Sequence, residues 1–142
     1  MFAVLVRAFV ECMFRWPRQI TTLEILAISI GLSTFQAELG GRKVVVWSDN
    51  KGAEAIAEKG SAKEWDHCRL VHDIWTHALQ NNTALWIERV PSHDNISDSP
   101  SRCAYDVLPP HAVWRKPVVA SIYLPSESVF AGWKSDVPVC CD

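Results

Sequence analysis

Three carboxylates in this chain sit where their neighbours would not choose them. Glu24 interrupts the apolar run ITTLEILAI, Asp49 ends the run VVVWSDN, and Asp98 lies in NISDSPSR. An unpaired carboxylate among aliphatic side chains suffers a large desolvation penalty or stays protonated, so Glu24 needs a partner. Asp49 falls at the carboxyl end of a short β-branched segment, the edge where α/β proteins gather ligands. Asp98 falls at the start of a short helical segment, where backbone N–H groups favour an anion. Each also has an ordinary reading, since a strand-end Asp serves turns and an Asp at a helix start serves as a cap. As a set they suggest more. Three acids brought together repel one another unless a hard cation sits between them, and ligation by oxygen alone selects Mg²⁺ or Mn²⁺.

The elements that would position these acids follow from periodicity and punctuation. Residues 20–39 carry Leu23, Leu26, Ala27 and Ile30 at helical spacing, with Ile25, Ile28 and Leu32 on another flank. Thr21 and Thr22 are available as caps, and Gly40-Gly41 supplies a stop. This predicts one long, mostly buried helix. Residues 43–48 are too short for a helix and apolar at both parities, which predicts a central strand covered on two sides. A short helix over 50–59 ends at Gly60, and a longer amphipathic helix over 64–80 shows Leu70, Val71, Ile74, Trp75, Ala78 and Leu79 on one face. Residues 83–90 read as a second strand, Pro91 to Asn95 as a loop, and 97–104 as a last short helix. Beyond Tyr105 the prolines at 109, 110, 117, 125 and 138 punctuate a tail without periodicity, read as an extension over the surface.

Composition bounds the rest. A chain of 142 residues with 49% hydrophobic and 21% charged residues has the balance of one folded domain. Its net charge of −2 provides no global positive field, so any polyanion must meet a local patch. Five cysteines without a CxxC pair fit neither a disulfide framework nor a zinc knuckle, which predicts a reducing, intracellular location, cytoplasmic or nuclear. The apolar opening 1–14 lacks a basic start and is interrupted by Arg7 and Glu11, so a buried strand or helix is expected there rather than a targeting or membrane segment.

The block 20–102 resembles the ribonuclease H domain of eukaryotic retrotransposon reverse transcriptases. ITTLEILAI is similar to that family's helix with a metal-binding Glu, and VVVWSDNKGA to its strand ending in Asp followed by Asn and a small-residue helix. WIERVPSHDNISDSPSR is similar to the closing strand, its loop and the N-x-x-D-x-x-S-R signature, here Asn95, Asp98, Ser101 and Arg102. The resemblance implies an α/β fold with a ribonuclease H-like mixed sheet flanked by helices. It divides the chain into a residual strand or helix over 1–19, a core over 20–104 and a proline-punctuated extension over 105–142. It also implies two-metal hydrolysis of RNA in RNA·DNA hybrids, with ions about 4 Å apart. Glu24, Asp49 and Asp98 would be the catalytic metal ligands for Mg²⁺ or Mn²⁺, His93 the loop histidine that assists catalysis, and Asn50 and Asn95 contacts to nucleic acid. A further implied partner is the polymerase part of a retroelement polyprotein.

The sequence departs from that family in one respect. The family's three-stranded opening meander, whose first strand supplies a bridging Asp, has room here for one strand at about 3.3 Å per residue, so most of the meander and the first catalytic Asp are expected to be absent. Glu11 is a poor substitute, because its strand would directly precede the helix. Hydrolysis by the isolated chain is therefore expected to be impaired, and the alternative is a non-catalytic module of the same fold acting as a tether or nucleic-acid-binding domain. Lys59, Lys63, Trp65 and Arg69 cluster where the third helix begins. They suit either phosphate contact with base stacking, or an anchoring Trp65 with solvated basic neighbours. His67, His72 and His77 recur every fifth residue, about 140° apart on a helix, and cannot share a metal. Ser92, His93 and Asp94 are too close along one loop to form a hydrolase triad.

Overall fold

A computed structural model of the chain describes residues 20–101, 104–113 and 115–118. The opening segment 1–19 with Glu11, the signature residue Arg102, and Cys12, Cys103, Cys140 and Cys141 lie outside the described residues.

The elements are α1 (Ile20–Thr34), α2 (Gln36–Leu39), β1 (Lys43–Ser48), α3 (Lys51–Lys59), α4 (Trp65–Gln80), β2 (Ala84–Arg89), a 3₁₀ turn (Ser92–Asp94) and α5 (Asp98–Ser101). The described residues thus form a mixed α/β arrangement whose sheet is two parallel strands. Lys43 stands opposite Ala84, Val45 opposite Trp86, and Ser48 opposite Arg89. A parallel pair needs a long crossover, and α3 and α4 provide it.

Every residue of α1 from Leu23 to Ser33 is buried, so this helix has no solvent face. It lies against α4 and α3, and those two lie against the strands. Ile25, Val71 and Ile74 are fully enclosed, and with Leu85 and Ile87 from β2 they belong to one continuous core. Burying each such aliphatic side chain contributes roughly 1.5–3 kcal/mol. The α3–α4 pair is tied by the Trp75 indole N–H, which donates to the Ala57 carbonyl at 3.0 Å.

The helix expected over 20–39 is broken. Phe35 leaves helical geometry with ψ at 22°, so the segment is two helices, α1 and α2. At the break the Thr34 hydroxyl donates to the Ile30 carbonyl at 2.7 Å, a back-bond often found where helices bend. Thr21 and Thr22 are not caps either, because both lie inside the first turn of α1 and bond to other segments.

The expectation that β1 is covered on both faces is also corrected. Val44 and Val46 pack on the core, whereas Val45 and Trp47 face outward, Trp47 with 57% of its surface exposed. Helices cover one face of these two strands, and apolar residues at both parities concealed that asymmetry. Leu79, expected on the buried face of α4, is 81% exposed. Its neighbour Ala78, in the same last turn, is 2% exposed, so the buried stripe of α4 ends on Ala78 and Leu79 falls outside it.

The described part of the tail, 104–113 and 115–118, consists of turns and irregular backbone. It rests on the end of α1 and on α2. Arg115 pairs with Glu38 at 2.6 Å, and the Val118 N–H donates to Thr34 Oγ1 at 2.9 Å.

Candidate functional site

The site begins where β1 stops. Ser48, its last residue, is buried, and the half-buried Asp49 follows directly. Asn50 then caps α3: its Oδ1 accepts from the Ala53 N–H at 2.9 Å, and its own N–H donates to Ser48 Oγ at 3.2 Å. The run turns polar at Asp49 because the sheet ends there and the next helix needs a capped start.

The neighbouring strand arrives at the same edge. The Val90 N–H donates to the Ser48 carbonyl at 3.0 Å, extending the parallel ladder one step beyond β2. The 3₁₀ turn and an Asn-centred turn follow, in which Asn95 Oδ1 accepts from the Ser97 N–H at 3.1 Å and the Ser97 hydroxyl at 2.6 Å. The Asp98 N–H donates to the Asn95 carbonyl at 3.0 Å, so α5 opens on the acid the sequence marks. α1 reaches this edge by its first turn, where the Thr21 hydroxyl donates to Asn50 Oδ1 at 3.4 Å. Glu24 lies one turn farther along, 7% exposed among Leu23 and Ile25. None of the three carboxylates is free.

No three His, Cys, Asp or Glu side chains among the described residues are grouped to hold a metal ion. The divalent-ion site implied for Glu24, Asp49 and Asp98 is therefore not complete among those residues, and no hydrolytic step through a metal follows from their arrangement. His93 is 81% exposed, with Nε2 placed 3.2 Å from Oδ2 of its neighbour Asp94. Asn50 and Asn95, expected to touch nucleic acid, direct their side-chain oxygens to backbone and hydroxyl groups of the loops they shape.

The basic and aromatic cluster stands apart in exposure. Trp65 opens α4 and is 64% exposed, so it does not anchor the helix in the core. The half-buried Arg69, one turn on, places its guanidinium carbon 5.3 Å from the centroid of that exposed ring, a cation–π pair. Lys63 and, at the end of α3, Lys59 are exposed nearby in sequence, with Glu64 and Asp66 interspersed.

Two further contacts were not visible in the sequence. Thr22 Oγ1 and His67 Nε2 meet at 2.6 Å, fastening the start of α1 to the start of α4. His67 Nδ1 lies 3.4 Å from Glu64 Oε2 without hydrogen-bond geometry. His67 and Thr22 are 45 positions apart, and neither periodicity nor a motif connects them. Their residue types, a hydroxyl and an imidazole on inward helix faces, were the only signal.

No helix among the described residues is long and apolar enough to cross a membrane. Neither a family model, nor a curated protein, nor a solved structure matches the chain.

Proposed function

We propose that the chain is a ribonuclease H-like module of a retroelement reverse transcriptase that engages RNA·DNA hybrid, with two-metal hydrolysis impaired in the chain by itself. The observation that carries this reading is the tie between Thr21 and Asn50, which keeps the first turn of the Glu24 helix against the residue that follows Asp49. Parallel pairing supports it, because β1 and β2 end side by side and their outgoing segments carry Asp49 and Asp98. Ligand chemistry gathers at such carboxyl edges in parallel sheets. A divalent ion, Mg²⁺ or Mn²⁺, would require donors beyond the grouping available among the described residues.

That same grouping favours a second reading, in which the module binds nucleic acid or tethers a partner without cleaving. For this reading the exposed Trp65, with the half-buried Arg69 against its ring, is the contact surface, the ring offered to a base and the exposed Lys63 and Lys59 to phosphates.

Incubating the purified chain with labelled RNA·DNA hybrid and Mn²⁺, beside Glu24→Gln and Asp49→Asn, tests the two readings. Weak RNA-strand cleavage by the wild type, abolished in both variants, supports the hydrolase. Equal background in all three proteins, with hybrid retained in a gel-shift assay, leaves the non-catalytic module. Neither cleavage nor retention overturns both.

A further inference from the structure

The outward face of the strand pair carries three rows in register: Lys43 beside Ala84, Val45 beside Trp86, and Trp47 beside Glu88. All six residues are exposed, Trp86 at 61%. The Trp86 indole N–H donates to Glu88 Oε2 at 3.0 Å, which holds the ring across the face. Two indoles and a valine on a flat strand surface are more apolar than solvent alone would favour. The face holds one cation and one anion, so it has no net charge to attract a polyanion, and nucleic acid is a poor occupant.

The placement of those charges is informative. Lys43 stands at the amino end of β1 and Glu88 near the carboxyl end of β2, at opposite corners of the rows. A two-fold axis lying in the face and running across the strands through the Val45–Trp86 row exchanges the outer rows. Each Lys43 then faces the row that carries the partner's Trp47 and Glu88. The lysine and glutamate are offset by one strand spacing, about 4.8 Å, within reach of a lysine stem across sheets packed about 10 Å apart. The same axis brings each Trp86 and Val45 against its own counterpart, so both the apolar centre and the charged corners are self-complementary, as an isologous contact requires.

We propose that this face docks a second copy of the chain, forming a two-fold dimer centred on Trp86 and Val45 and closed at its corners by Lys43 and the partner's Glu88. A face of two short strands is small beside specific protein interfaces, so the dimer is concentration-dependent.

Sedimentation velocity on the full chain over a wide concentration range tests this. The wild type shifts from monomer to dimer, and Trp86→Ala remains monomeric. Lys43→Glu and Glu88→Lys each weaken dimerisation about tenfold, while the double variant K43E/E88K, which restores the corner pairing but not the Trp86–Glu88 bond, recovers part of the loss. Far-UV circular dichroism of the variants, unchanged from wild type, ties a loss of dimer to the face and not to unfolding. A monomer at every concentration, a dimer indifferent to all these changes, or a double variant no better than the singles overturns the proposal.

Discussion

Asn50 joins the three parts of the site, since its side chain caps α3, accepts from α1 and follows Asp49 in sequence. Asn50→Ala removes the cap and is expected to cost about 1 kcal/mol of stability, read as a lowered denaturant midpoint at unchanged slope. Asn50→Asp preserves an accepting oxygen and should lie close to wild type. Ile25 presents the opposite case, a fully buried side chain with no polar role, directly after Glu24. Truncation by Ile25→Ala should cost about 2–5 kcal/mol, because the enclosed helix cannot collapse into the space left behind. At this scale the positions of Asp49 and Asp98 were legible, because strand ends and helix starts are marked by local chemistry. The partner of Thr22 was not, because His67 reaches it only through the packing of two helices.

Among the elements, α3 is the best specified by sequence. It runs from the Asn50 cap to Gly60, which adopts a left-handed conformation at φ 69°. A Cβ at Gly60 meets nothing within 4 Å, so Gly60→Ala tests backbone strain alone. The expected loss is roughly 1–2 kcal/mol, measurable by thermal unfolding. Trp75→Phe probes the α3–α4 tie instead: it removes the bond to Ala57 and trims the indole that packs on the core, for an expected cost of about 1–3 kcal/mol. Boundaries of α3, α4 and both strands fell within a residue or so of their sequence signals, since Gly, Asn and Pro punctuate them. The break at Phe35 escaped notice because neither Gly nor Pro stands at it. The exposed face of β1 escaped for a different reason: Val and Trp occupy both parities, and periodicity carries no information when every position is apolar.

For the whole molecule, the first turn of one buried helix meets the carboxyl end of β1 through Thr21 and Asn50, and β2 ends beside β1. The tail is pinned beyond the far end of α1, on α2, where Arg115 is 54% exposed in its side chain and Glu38 26%. Such a pair contributes at most about 1 kcal/mol, so Arg115→Ala should leave the melting temperature within a few degrees of wild type. The mixture of helices and strands was readable from hydrophobic pattern, whereas the packing of α1 on α3 and α4, the exposed sheet face and the grouping of donors were not, because all three depend on what each element packs against. The most direct test of the account is a fluorescence-anisotropy titration of RNA·DNA hybrid, in low salt without divalent ion, against wild type and a Trp65→Ala, Arg69→Ala double variant. The account predicts saturable binding by the wild type that weakens with added salt and falls about tenfold in the variant. An absence of hybrid binding at every salt concentration, or equal affinity in the variant, would contradict it.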